Sequence, residues 1–354
     1  MNRFIQLHIL TSYPPANLNR DDLGRPKTAK MGGVDRLRVS SQSLKRHWRT
    51  SDLFQQALGD NLGQRTKLLG VDAYQRLIEG GVSEKNAIAW SKEIAAVFGA
   101  LKKAKKDEPL VELEIEQLVH VSPTERAAIN TLVATLISEQ RSPLKDELDL
   151  LRKDHQAVDI ALFGRMLASK TEFNTEAACQ VAHAISVHPV VIEDDYFTAV
   201  DDLNEHRHDA GAAHIGETGF AAGLFYAYIC INRELLIKNL RGNEALARQA
   251  IVALTEVALK VAPSGKQNSF GSRAYASYVL AEMGDQQPRS LSVAFLKPID
   301  QRTSADFAAD AISALKLQRD NFDRVYGKCA AGSLELNALN PEATLDQLLA
   351  FVSE

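Results

Sequence analysis

Only three cysteines occur, Cys179, Cys230 and Cys329, far apart and odd in number. They make neither a disulfide framework nor a CxxC metal knuckle, which fits a reducing compartment. Long hydrophobic runs are missing too. The longest uncharged apolar stretch, FAAGLFYAYICI at 220–231, falls short of the roughly 20 residues that a membrane-crossing helix needs. The N-terminal MNRFIQLHIL has no long apolar segment and no small-residue cleavage site, so a cytoplasmic protein away from any membrane is expected. No GxxxxGK[ST] or GxGxxG is present, which argues against nucleotide hydrolysis. With no GxSxG and no Cys beside a paired His, no nucleophile–base pair is legible, and the expectation is a protein that is not an enzyme and needs no cofactor.

What is present is ordinary in bulk. The 354 residues are 45% hydrophobic and 24% charged, the composition of a globular chain with one large domain or two and a sizeable core. The net charge is only −4, but residues 20–49 hold nine Lys/Arg against three Asp, a net of +6 that leaves −10 on the rest. A concentrated basic segment on an acidic body predicts a local anion site.

The hydrophobic periodicity mixes strands and helices without strict βαβ alternation, which predicts an α+β fold. RFIQLHIL (3–10) alternates as a strand, LRVS (37–40) reads as a short strand, and SQSLKRHWR as a helix capped by Ser40 or Ser41. Residues 52–160 are mainly helical, with Ile129, Leu132, Val133 and Leu136 on one face and Ser142-Pro143 as a helix start. A helix is expected at 177–187, then strands at 188–192, 196–200, 223–232 and 292–299. Residues 190–232 read as an extended hairpin-like projection with a long polar loop. Helices are expected at 243–261, 304–318 and 341–352, the last capped by Asn340 with Pro341 behind it.

The strongest constellation is GGVDRLRVSSQSLKRHWR (32–49). Gly32-Gly33 allows close backbone approach to an anion. Arg36 and Arg38 share a strand face, and the helix start offers N–H groups and a positive dipole end. Within the helix Lys45 and Arg49 share one face while Leu44 and Trp48 share another. Together with Arg20, Lys27, Ser40, Gln42, Ser43 and Arg46 this surface suits successive backbone phosphates; a merely solvated basic helix is the plainer account. In FGRM (163–166), Arg165 and Met166 offer a phosphate contact beside a soft apolar one, or simply a helix end with a buried Met. In SGKQNS (264–269), Lys266 and Gln267 suit phosphates or a plain C-cap loop. His206, His208 and His214 with Asp201, Asp202 and Asp209 sit in a polar loop without zinc-like spacing, so no metal site is expected. Asp194-Asp195 would repel phosphates or meet a basic patch. Phe197, Val200 and Ile215 suit wedges between bases or ordinary hairpin core. Asp35 is the lone catalytic suspicion.

Several segments in this order, LNRDDLGRPKTAKMGGVDRLRVSSQSLKR, DIALFGRM, HAISVHPVV, DYFTAVDDL and AAHIGETGF, resemble the type I-E (CasC, or Cse-type) members of the Cas-seven family, the backbone subunits of CRISPR Cascade. The likeness runs from residue 1 to about 330 and is weakest over 52–150. The resemblance implies a hand-like protein. An RRM-like (ferredoxin-like) palm comes from 1–59 and 158–354, helical fingers from 60–157, and a thumb from the hairpin 190–232. It further implies head-to-tail copies of the chain along a CRISPR RNA, beside other Cascade subunits, with the guide presented for pairing with target DNA in antiviral defence. Arg20, Ser40, Gln42, Lys45 and Arg49 match RNA-contacting positions of the family, Met166 a residue beside a displaced base, and Phe197, Thr198, Val200 and Ile215 the thumb residues that kink the guide. Two departures stand out. Where some relatives carry a lysine cluster for target DNA, this chain has ISEQRSPL (137–144), with Arg141 its one basic residue. Asp35 stands where some relatives carry a basic residue. Type III relatives cut target RNA with a loop Asp, which makes a metal-dependent ribonuclease using Asp35 the alternative; otherwise Asp35 is a salt-bridge partner for Arg36 or Arg38.

Overall fold

The computed structural model describes residues 2–199, 214–300 and 302–354. In chain order the strands are β1 (Phe4–Ala16), β2 (Thr28–Met31), β3 (Val34–Val39), β4 (Gln64–Thr66), β5 (Val119–Val121), β6 (Cys179–Val181), β7 (Ala184–Ser186), β8 (Glu193–Ala199), β9 (His214–Asn232), β10 (Tyr278–Gly284) and β11 (Gly332–Asn337). The helices are α1 (Ser41–Arg49), α2 (Asp52–Leu58), α3 (Leu69–Glu79), α4 (Glu84–Ala96), α5 (Pro123–Glu139), α6 (Val158–Phe163), α7 (Arg233–Asn239), α8 (Glu244–Lys260), α9 (Gln267–Phe270), α10 (Phe307–Tyr326) and α11 (Leu345–Ser353). The fold is a mixture of helices with an antiparallel sheet, ordered β11-β10-β1-β9-β7-β3-β2, with β6 and β8 also pairing with β9. The chain divides into two compact units, one of residues 1–54, 181–230 and 251–354, the other of 55–180 and 231–250.

The first unit holds most of this sheet. Its period-two strands are covered on both faces where they are central. Ile5, Leu7 and Ile9 are buried, and so are the intervening Gln6 and His8. These polar groups survive burial because each has a hydrogen-bond partner on a neighbouring segment. His8 Nδ1 lies 2.9 Å from the Tyr226 hydroxyl, and the Tyr228 hydroxyl donates to Gln6 at 2.9 Å. One apolar cluster joins Leu10, Tyr226, Tyr278 and Leu280 of the sheet to Leu291, Phe295, Ala311 and Leu315. The second unit has its own core, in which Leu69, Leu77, Trp90, Ile94, Phe98, Ile129, Val133 and Leu136 meet. Its longest helix, α5, begins in a capping box: Ser122 accepts from the Glu125 backbone N–H, and Glu125 accepts from that of Ser122.

Several sequence expectations are corrected. Residues 177–187 form β6 and β7 instead of a helix, because β9 supplies a strand for both to pair with. Residues 188–192 lie outside any strand. The expected strand at 292–299 is a 3-10 turn, Ser292–Phe295, which sends Leu291 and Phe295 into the core and leaves Val293 out. No helix starts at Ser142-Pro143. There Glu147 folds back to accept from the Leu144 N–H at 2.8 Å and from the Arg141 guanidinium at 2.7 and 2.8 Å. The last helix begins at Leu345, not at Pro341, since Thr344 and Gln347 form a capping box there.

Candidate nucleic-acid interface

The first unit gathers the basic segment around α1. Ser40, at φ −69° and ψ 145°, caps the helix by accepting from the Ser43 N–H at 3.3 Å. Leu44 and Trp48 are buried. Gln42, Lys45, Arg46 and Arg49 therefore share the opposite stripe at i, i+3, i+4, i+7, with Gln42 and Arg46 exposed and Lys45 and Arg49 half-buried. The N-terminal N–H groups are largely taken. Ser40 N donates to Asn19 Oδ1 at 2.9 Å and Ser41 N to His183 Nδ1 at 3.3 Å. The helix start is thus not an open anion cradle, and Ser40, 7% exposed, serves as a cap.

His183 is a residue that sequence reasoning missed. Its Nδ1 also lies 3.3 Å from Arg38 Nη1. Two donors converge on that nitrogen, so it is the acceptor and the ring is neutral. Burial lowers the His183 pKa, and the charges of Arg38, Lys27 and Lys45 lower it further. Arg38 of β3 thus meets this imidazole, which also feels the charges of Lys27, just before β2, and Lys45 of α1. No sequence signal links position 183 to position 38.

Arg36 is corrected. It is 0% exposed, and its guanidinium donates to the carbonyls of Ser186 at 2.9 Å, Phe295 at 2.8 Å and Met31 at 3.3 Å. Burial lowers its pKa. It ties the β2–β3 hairpin to β7 and to the 292–295 turn, and no face is left for a phosphate. Gly32-Gly33 is the two-residue turn of that hairpin, both at positive φ, and a Cβ on Gly32 would meet the Leu296 carbonyl oxygen at 1.7 Å. The glycines serve the turn and that close approach, facing an acceptor on this side. Asp35 pairs across the hairpin with Lys30 at 3.5 Å, so its partner is neither Arg36 nor Arg38.

Arg20 is exposed on a loop held by Asn17, which donates to the carbonyls of Gly24 at 2.9 Å and Gly219 at 2.8 Å. Asp21 accepts from the Leu23 and Arg25 N–H groups within the same loop. Arg20, Ser43, His47, Ser264 and Lys266 line an open cleft of about 620 Å³. A second cleft, of about 320 Å³, shares Arg20 and Lys266 and reaches Arg25, Asp194 and Thr218 at the root of the β8–β9 hairpin. Asp194 pairs with Arg25 at 3.1 Å. Lys266, at φ 47°, contacts the Thr218 hydroxyl. Gln267 is corrected from a phosphate ligand to a loop clasp, since its amide meets the Ser272 hydroxyl at 3.2 Å.

The β8–β9 pairing sorts the hairpin candidates by face. Thr198 lies opposite Ile215, while Phe197 lies opposite Gly216. Alternation puts Thr198, Ile215 and the exposed Tyr196 on one side and Phe197 on the other. A Cβ on Gly216 would come 2.3 Å from the Phe197 ring, so the glycine is what lets that ring lie across the strand. Val200 lies outside the described residues, as do His206, His208, Asp201, Asp202 and Asp209.

In the second unit the two FGRM candidates part company. Arg165 is buried and bonded to both Glu125 oxygens at 2.8 and 2.9 Å, with the carbonyls of Arg152 and Phe173 filling its other donors. It is a structural ion pair and not an RNA ligand. Met166 is 84% exposed instead of buried. The positive φ of Gly164 makes the turn that sends one side chain in and the next out. Arg141 is locked to Glu139 and Glu147, and the Glu147 carboxyl is held down to about 2, first by its bond to Arg141.

Among the described residues no cluster of His, Cys, Asp or Glu is suited to a metal ion, and no helix is long and apolar enough to cross a membrane. The candidate site is an open, cation-lined surface beside the β8–β9 hairpin, the class of surface that suits an extended polyanion. The chain belongs to the CT1975-like protein family (Cas_CT1975), whose model matches residues 5–349. A solved chain described as "CRISPR RNA-guided surveillance complex, pre-nicking" is similar at 26% identity and a TM-score of 0.83, over 99% of this chain and 100% of that one. A second, described as "CRISPR RNA-guided surveillance complex", shares the fold at 23% identity and a TM-score of 0.73, over 98% of this chain and 99% of the other. No curated protein matched.

Proposed function

We propose that the protein is the CRISPR RNA-binding backbone subunit of a type I-E Cascade surveillance complex, acting in the cytoplasm without catalysis or cofactor. Copies stack head to tail along the guide RNA, next to other Cascade subunits, and leave base edges free to pair with target DNA. The first unit supplies an RRM-like palm and, in β8–β9, the thumb; the second supplies the helical fingers. The observation that carries this reading is the end-to-end likeness to a surveillance-complex chain. It combines with the stripe of Gln42, Lys45, Arg46 and Arg49, a surface that grips phosphates and ignores sequence. Arg38, Lys27, Arg20 and Lys266 extend the grip, and Met166, Phe197, Thr198 and Ile215 supply the apolar contacts that separate bases.

The test is to size the purified protein with CRISPR RNAs of graded length. Multimers that grow in steps with RNA length are expected. A constant stoichiometry overturns the backbone role.

A further inference from the structure

We propose that His47 and Ser264 form a ribose-reading subsite in the Arg20–Lys266 cleft, selecting RNA over DNA through the 2′-hydroxyl. The proposal rests on the RNA-backbone reading above and deepens it. His47 lies one turn after Ser43 on α1, away from the cationic stripe. Its Nδ1 is 2.7 Å from the Ser43 carbonyl oxygen. A carbonyl only accepts, so Nδ1 carries a proton, and the imidazole tautomer with its proton there has its lone pair on Nε2. Ser264 Oγ sits 2.9 Å from Nε2 and donates its proton there. Its own lone pairs then remain as acceptors at the cleft wall. In that tautomer the pair is hydrogen-bond accepting, although Arg20 and Lys266 line the same cleft with positive charge.

That combination does not suit a phosphate alone, whose oxygens only accept. In a sugar–phosphate backbone the one donor is the ribose 2′-hydroxyl, which DNA lacks. A cleft with cations for phosphates and an oriented acceptor between them therefore complements a ribose-phosphate repeat. Asp22, also at this cleft, adds an acceptor that no phosphate would choose.

The experiment compares the whole chain's affinity for a guide-length RNA with that for the same strand carrying 2′-deoxyriboses, for wild type, His47→Ala and Ser264→Ala. Wild type is expected to prefer ribose by about three- to tenfold, the worth of one net hydrogen bond. Either variant should bring that ratio towards one, the loss falling on the ribose strand. Ser264 is exposed on a loop, so its variant tests the subsite without disturbing α1. An unchanged ratio in both variants overturns the proposal. So does an equal loss on both strands with a shallower salt dependence, which would make the subsite a phosphate contact. If wild type binds neither strand, the RNA-backbone reading itself falls, a result separate from an unchanged ratio.

Discussion

β3 and α1 follow one another in the chain and are comparably basic, yet they spend their charge in opposite ways. On β3, Arg36 turns inward and donates to three carbonyls, and Arg38 is half-buried against Thr28 and His183. On α1 the Leu44–Trp48 side is the buried one, and Lys45, Arg46 and Arg49 lie on a separate stripe, Arg46 exposed and the other two half-buried. The strand has neighbours on both edges and cover over its face; the helix touches the body along one side. A basic residue in a sequence becomes a basic surface only where its element leaves a side unpacked. Arg165 makes the same point in the second unit: it is buried, whereas Met166 beside it is exposed.

The largest effect should come from the inward class. Arg165→Ala leaves Glu125 buried and unpaired and is expected to cost about 3–5 kcal/mol of stability. A urea midpoint like that of wild type would break the distinction between the two classes. Next is the acid response of the same buried region. Burial, then the neighbouring Arg165 charge, pushes His155 down to about 4. Its folded pKa is below the unfolded value near 6.5, so the unfolded chain binds the proton more readily. The stability it contributes is complete above pH 6.5 and is lost as pH falls towards 4, by about 3 kcal/mol. His155→Gln should flatten that part of a plot of melting temperature against pH.

The outward class should move binding instead. Lys45→Ala with Arg49→Ala is expected to weaken RNA uniformly across sequences and to lower the slope of log K against log salt by about 0.7 per lost phosphate contact. A filter-binding titration with an unaltered slope would remove α1 from the interface. The smallest effect belongs to Asp35→Ala, which breaks an exposed pair with Lys30 worth at most about 1 kcal/mol. Complementary RNA incubated with the assembly and Mg²⁺ should stay intact in both proteins. Regular cleavage that this substitution abolishes would restore the ribonuclease alternative.

The legible parts were those with local causes. The helix Ser41–Arg49, a serine cap at Ser40 or Ser41 and the inward Leu44–Trp48 face follow from periodicity and from a hydroxyl's fit to an orphan N–H, and the structure makes Ser40 the cap. The hairpin and the 223–232 part of β9 were visible for the same reason, whereas 214–219, expected in a polar loop, belong to the strand. Less legible were short segments whose state depends on a distant neighbour. Residues 177–187 carry a helix-compatible pattern, and only pairing with β9 makes them strands. At the site, sequence marked the basic run but could not separate Arg36 from Lys45. Nothing in the sequence tied His47 to Ser264, 217 residues away.

The sequence by itself determined the concentration of positive charge between Arg20 and Arg49 and the amphipathic helix within it, because charge count and a 3.6-residue period need no partner. Only the tertiary structure decided which of those charges reach water. It also decided that Gly32-Gly33 backs onto Leu296, and that an imidazole and a serine distant in the chain face one cleft. Burial and hydrogen bonding are relations between segments, and a linear order of residues does not contain them.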